Sequence, residues 1–376
     1  MKTNITKNIF DLTPYQAGKP IEEVKRELGL KEVIKLASNE NPLVSVRVKN
    51  ALKSALGRIN RYPEGSCFYL KEKLAKELRL KPVNIIFGNG SDELIDVIVK
   101  TFVEKDEEVL TSQLTFLEYE IISKVNGRKV VTVPQHNFKY DLKGIKNKIN
   151  RKTKVVFVAN PNNPTGTYVN DREVMDFLDG LPPNVVVIFD EAYNEFVDAN
   201  DFPDTQGYLN KKNVIILRTF SKIYGLAGLR IGYAIAKEGF ISFMEKARPP
   251  FNVNSLAQAA AFAAISDKEF VLKSRKLVLN EKKYIYKSFD EMGINYIPSQ
   301  ANFILFDAGK NTLSVFKEML KYGVIVRDMK QYGLDTFIRV TIGKPAENKR
   351  FIEALKRVLL KKGLTPCANR NCASVV

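Results

Sequence analysis

Lys154-Val155-Val156-Phe157-Val158-Ala159-Asn160-Pro161-Asn162-Asn163-Pro164-Thr165-Gly166 is the stretch whose reading settles the fold. After the lysine it is apolar and rich in β-branched residues, so it reads as a strand. Two prolines and a glycine then end it in a rigid turn. Runs of the same kind stand at 107–112, 129–133, 185–190, 214–218 and 229–236. Spacings of roughly 20 to 30 residues leave room for a crossover helix in most gaps, as parallel neighbours require. The expectation is a mostly parallel, twisted α/β sheet with ligands gathered at the carboxyl ends of its strands.

Past Asn254 the pattern turns helical, Ala-rich over 257–265 and charged and amphipathic over 268–292. Short strands are expected at 295–297, 302–306, 324–327 and 337–342, with helices near 312–322 and 346–362. Together these describe a second, smaller α+β domain. The expected division is an arm at 1–45 packed with the small domain, a large domain at 46–270, the small domain at 271–364 and a loose tail at 365–376.

Composition narrows the classes. The 376 residues are 45% hydrophobic and 27% charged, the balance of a soluble globular protein with a core to bury. No continuous apolar stretch opens the chain and none reaches the ~18 residues of a membrane span, so a cytosolic, non-membrane protein is expected. Cys67, Cys367 and Cys372 form no disulfide framework, and with His136 as the single histidine they offer no metal site. A Ser-His-Asp mechanism would have to run through His136, which reads as a surface loop residue beside Pro134. The net charge of +17 is spread along the chain. Its densest run, Lys143, Lys146, Lys148, Arg151, Lys152 and Lys154, lacks interleaved aromatics and reads as a solvated face, not as a nucleic-acid site.

Four loops carry the chemistry. Gly88-Asn89-Gly90-Ser91-Asp92-Glu93 follows apolar Ile85-Ile86-Phe87 and opens a helical run. Free N–H groups and glycines there suit a phosphate, although taken alone the stretch reads better as an ordinary turn capped by Ser91 or Asp92. The 160–166 turn either holds an asparagine side chain still or is purely structural. Phe189-Asp190-Glu191-Ala192-Tyr193 ends another strand, where a buried acid needs a cationic partner. Finally, Arg218-Thr219-Phe220-Ser221-Lys222 leads into Gly225-Leu226-Ala227-Gly228-Leu229-Arg230. A lysine among hydroxyls and glycines can form a Schiff base with a carbonyl cofactor. The alternative, a solvated lysine, weakens because all four loops are expected at one sheet edge.

The ordered set of these four loops resembles that of the fold-type-I pyridoxal-phosphate aminotransferases of class II, and within them is most similar to the histidinol-phosphate aminotransferase family. The likeness extends from Pro14-Tyr15-Gln16-Ala17-Gly18-Lys19-Pro20, through Ser38-Asn39-Glu40-Asn41-Pro42 and Arg61-Tyr62-Pro63-Glu64-Gly65, to Arg339-Val340-Thr341-Ile342-Gly343. It implies a seven-stranded sheet in the large domain and pyridoxal 5′-phosphate as cofactor. Lys222 would carry that cofactor as a Schiff base and shuttle the proton, while Asp190 pairs with the pyridine nitrogen. Asn163 and Tyr193 would bond the ring oxygen and Phe116 cover the ring face. Gly90, Ser91, Asp92, Thr219, Ser221 and Arg230 would surround the phosphate, with Tyr62 reaching over from a second subunit of a homodimer. Arg339 would receive the α-carboxylate of glutamate or 2-oxoglutarate, with Tyr15, Asn41 and Arg327 near the far end of a phosphorylated amino alcohol. Two positions depart from the family pattern: Phe251 stands where many relatives carry Tyr, and Ile223 where a small residue is usual.

The resemblance implies transamination between histidinol phosphate and 2-oxoglutarate, a step of histidine biosynthesis. On the same scaffold the rivals are an aromatic amino acid aminotransferase and a threonine-phosphate decarboxylase. A cofactor-sensing DNA-binding regulator would need a module for which the residues before the cofactor domain leave no room.

Overall fold

Seven apolar runs pair edge to edge, since each would otherwise leave a row of buried backbone N–H and C=O groups without partners. Their order across the sheet is Ile85–Gly88, Gly232–Ala236, Val214–Thr219, Val186–Asp190, Thr153–Ala159, Glu108–Ser112 and Lys129–Val133. Only Gly232–Ala236 runs against its neighbours; the other contacts are parallel. Every residue of Val186–Asp190 and of Gly232–Ala236 is buried, as expected of strands covered on both faces. The computed structural model describes residues 6–10, 12–16, 18–310 and 312–361, so the tail expected at 365–376 lies outside the described residues.

A second sheet is antiparallel, in the order Arg327–Asp328, Phe337–Thr341, Phe303–Asp307, Tyr296–Ile297. It carries its own apolar core around Phe289, Phe303, Ile304, Phe306 and Phe351. The 25-residue helix Lys268–Met292 starts on an Asp267 cap and stops at Gly293, whose φ of 65° belongs to the left-handed region. Ser255–Ile265 packs closely on Val46–Ala55 because the buried Ala257, Ala260, Ala261 and Ala264 keep its surface flat. Among the described residues no helix is long and apolar enough to cross a membrane.

Two local expectations need correction. The run expected at 229–236 becomes a strand only at Gly232, because Ala227–Leu229 form a short 3-10 turn and Arg230 takes a φ of 54°. The strand expected at 324–327 splits. Val324–Ile325 pairs in parallel with Ile34–Lys35, while Arg327–Asp328 joins the antiparallel sheet. The N-terminal segment, which shows no long periodic pattern, nonetheless forms the helix Ile21–Leu28, and Val24 and Ala37 pack on Leu320 and Ile325.

Gly232 joins this frame to the loops at the sheet edge. A Cβ there would lie 2.6 Å from the Ser91 backbone nitrogen, 2.9 Å from the Gly90 carbonyl carbon and 3.1 Å from the Arg218 oxygen. None of these is a side chain that could swing away. Gly232→Ala should therefore cost ~1–3 kcal/mol in urea unfolding. Gly228→Ala, with nothing within 4 Å of its Cβ position, should stay within ~0.5 kcal/mol of the parent.

Candidate active site

The parallel strands Thr153–Ala159, Val186–Asp190 and Val214–Thr219 end at one edge, where a cavity of about 370 Å³ opens. One end of it is built for an anion. Helix Ser91–Phe102 begins there, and its first N–H groups have no partner within the helix. Gly90 precedes it at φ 83°, and a Cβ there would sit 2.5 Å from a guanidinium nitrogen of Arg230. Arg230 donates to Ser221 Oγ at 3.4 Å and pairs with Asp92 at 2.9 Å. Thr219 Oγ1 accepts from the Ser221 N–H at 3.0 Å. The Arg230–Asp92 pair is largely solvated and so worth little, which leaves the guanidinium ready to exchange its partner for a stronger anion.

In the middle of the cavity stands Asp190, 6% exposed at the tip of its strand. One oxygen accepts from Tyr119 Oη at 2.6 Å, the other from the Ala192 N–H at 3.1 Å. Burial pushes its carboxyl up to about 6, against those two donors and with help from Asp92 and Glu191. Lys222 lines the same cavity, half-buried, with Nζ 3.4 Å from the Ser38 carbonyl and 5.7 Å from the centre of the Tyr193 ring. Burial, and then the charge of Arg339, lower its ammonium to about 8. The loop around Lys222 is pinned on both sides. Phe220 is fully buried in the core of the large sheet, Ile223 in that of the second sheet.

On the remaining wall the polar groups are pre-aimed. Asn39 Nδ2 donates to Tyr193 Oη at 2.9 Å, so the phenol's own hydrogen is left for another acceptor. Arg339 donates through one nitrogen to Asn163 Oδ1 and through another to the Ala37 carbonyl at 2.9 Å. Its Nε is buried with no partner.

The structure thus brings Tyr15, Ser91, Asp92, Phe116, Asn163, Asp190, Tyr193, Thr219, Ser221, Lys222, Arg230 and Arg339 to one cavity, with Gly90 directly behind Arg230. Three expected residues lie elsewhere. Tyr62 is 84% exposed and stacks on Phe251 at 4.8 Å, outside the cavity. Asn41 is spent on structure, donating to the Ile223 carbonyl at 2.7 Å and Ser274 Oγ at 3.0 Å and accepting from the Leu43 N–H. Arg327 is buried 5.4 Å from the Tyr15 ring and meets the cavity only through it. The sequence reading missed Tyr119 and Asn39. For Asn39 the signal was its place in the 38–42 motif; for Tyr119 there was only its position three residues after Phe116.

A lysine, a buried carboxylate and an anion cradle at the carboxyl edge of such a sheet define a transferase of the type I aminotransferase fold. The chain belongs to the aminotransferase class I and II family, whose sequence model matches residues 31–355. It is 48% identical to a histidinol-phosphate aminotransferase of Moorella thermoacetica over 93% of this chain and 92% of that one. A histidinol-phosphate aminotransferase of Caldicellulosiruptor saccharolyticus is 47% identical over 93% of this chain and 99% of its own length. Among solved structures, the histidinol-phosphate aminotransferase of Sinorhizobium meliloti in complex with pyridoxal-5′-phosphate superposes with a TM-score of 0.87 at 29% identity, covering 96% of this chain and 98% of the other.

The position of Asp190 has a measurable consequence. Its carboxyl is raised from 3.8 to about 6, so the folded state binds this proton more tightly than the unfolded state. In the ligand-free chain that stabilisation should be complete below the ordinary carboxylate value and lost as pH rises through about 6. The swing is ~3 kcal/mol at ~1.4 kcal/mol per pH unit. Urea unfolding of the parent and of Asp190→Asn across this range should diverge in that direction.

Proposed function

We propose that this chain is a pyridoxal-phosphate-dependent histidinol-phosphate aminotransferase, a cytosolic enzyme of histidine biosynthesis that exchanges an amino group between histidinol phosphate and 2-oxoglutarate. The observation that carries the reading is Lys222 and Asp190 facing one cavity whose end is an anion cradle. The shared name of relatives at 47–48% identity supports the substrate.

The residues present fit the cofactor. A phosphate dianion matches Arg230, Ser221, Thr219 and the N–H groups at Ser91, and the unpartnered Nε of Arg339 is a donor awaiting an acceptor. When bound, pyridoxal phosphate supplies an electron sink for the carbanion formed at the amino-bearing carbon. Asp190, as a carboxylate, would hold the positive charge of the pyridine nitrogen. Tyr193 and Asn163 would offer their remaining donors to the ring oxygen, and Phe116 would cover a ring face. Lys222 holds a proton loosely enough, with its ammonium near 8, to take and return one at the reacting carbon. Arg339 offers a planar two-pronged donor to the α-carboxylate of glutamate. Tyr15, backed by Arg327, would meet the far end of the phosphorylated amino alcohol.

The arm at 1–45 is read as part of the small domain at 271–364, beside a large domain at 46–270; pairing of Ile34–Lys35 with Val324–Ile325 supports this division. A homodimer completes the reading, supported by exposed Val46, Ile59, Tyr62 and Tyr69 on the chain's surface. Tyr62 then serves the phosphate of the other subunit.

Purified protein given histidinol phosphate and 2-oxoglutarate should form glutamate, and should do so faster than with phenylalanine as donor. Threonine phosphate should release no CO₂. Preference for phenylalanine, or CO₂ release, would transfer the assignment to one of the rivals. Lys222→Ala should lose at least ~10²- to 10⁴-fold in turnover. For the assembly, sedimentation should give twice the 42.6 kDa chain mass.

A further inference from the structure

Tyr119 is an unusual neighbour for a buried acid. It is fully buried on the helix Glu118–Val125, its ring stacked on Phe157 at 4.7 Å and 3° and set edge-on to Phe116 at 5.6 Å and 86°. The two contacts leave the ring no room to turn away. Its hydroxyl therefore meets Asp190 Oδ2 at 2.6 Å as a fixed feature of the wall. The Ala192 N–H takes the opposite oxygen at 3.1 Å.

We propose that Tyr119 is a positioning residue for the reaction: its phenol hydrogen holds Asp190 ionised and aimed, so that the carboxylate can pair with a cationic pyridine nitrogen. This rests on the cofactor reading given above. The chemistry runs one way only. Burial, joined by the neighbouring charge of Asp190, raises the Tyr119 phenol well above its ordinary value, so it stays protonated and can only donate to the carboxylate. Lys222, Arg230 and Arg339 line the same cavity, and the charges that weigh most on Asp190 are Asp92, at the start of the Ser91–Phe102 helix, and Glu191, next along the chain. Both are acidic and oppose its ionisation. Among the phenols nearby, Tyr193 takes its bond from Asn39, and Tyr140 donates to Thr115 Oγ1 at 2.7 Å. Besides the Ala192 backbone, Tyr119 is thus the group that favours the charged form.

Tyr119→Phe keeps the ring, its stacking and its edge contact, and removes only that hydrogen. The full chain, freed of bound cofactor, would be titrated with pyridoxal 5′-phosphate from pH 5 to 9 by absorbance. In the parent, affinity should fall as pH drops through the Asp190 titration. In Tyr119→Phe that fall should begin at higher pH, with affinity at neutral pH reduced about tenfold or more, as for a lost hydrogen bond to a charged group. In an Asp190→Asn background the same substitution should change affinity little, because the charge it serves is gone. Should Tyr119→Phe alone fail to fold, recovery of the fold in the double variant would support the proposal, and failure there would overturn it. An unshifted pH profile, or an equal loss in the Asp190→Asn background, would also overturn it. A parent protein that binds no pyridoxal phosphate at any pH would instead overturn the cofactor reading.

Discussion

A negative charge at the end of a fully covered strand is the constraint around which this molecule is arranged. Stripped of water and left alone, a carboxylate such as that of Asp190 costs several kcal/mol, and the strand that carries it is buried throughout. The protein offsets part of this with two hydrogen bonds, one from a backbone N–H and one from a phenol, and leaves the rest unmet. What remains is a site with a standing demand for a cation. The cations that share its cavity have contacts of their own: Lys222 Nζ lies 3.4 Å from the Ser38 carbonyl, Arg230 pairs with Asp92, and Arg339 is committed to Asn163 and Ala37.

Placement of the reactive amine follows a different logic. The cores of the two sheets meet at the loop after Val214–Thr219, and each takes one apolar side chain from it, Phe220 into the first and Ile223 into the second. Lys222 is thereby fixed by packing on either side and not by polar partners, of which it has one weak carbonyl contact. An amine held that way has a still backbone, and with its ammonium lowered to about 8 the free-base form needed for nucleophilic and proton-transfer roles is within reach near neutral pH.

How much of this could be read from residues alone divides along one line. Asp190 was legible because it ends an apolar run, where a charge has no structural reason to be, and Lys222 and Arg230 because they share a short loop of hydroxyls and glycines. Strand order and the reversed Gly232–Ala236 strand were not, since pairing joins segments far apart in the chain. The orienting residues were hidden for the same reason. Tyr119 meets Asp190 across 71 positions and Asn39 meets Tyr193 across 154. Asn39 and Asn41 are indistinguishable as letters. Only the left-handed turn at Asn39, with φ of 55°, sends one amide to the cavity and the other into the loop behind it. The helix Ile21–Leu28 escaped because eight residues are too few to show a period.

The short parallel pairing of Ile34–Lys35 with Val324–Ile325 brings together segments from opposite ends of the chain. Asn39 lies just beyond the first and Arg339 shortly after the second, and the Thr341 hydroxyl accepts from the Asn39 backbone N–H and donates to Asn39 Oδ1. During synthesis the ribosome releases the sheet, the aspartate and the lysine long before this clasp can shut. A polypeptide not yet extended to position 341 therefore holds its reactive amine beside a half-built wall.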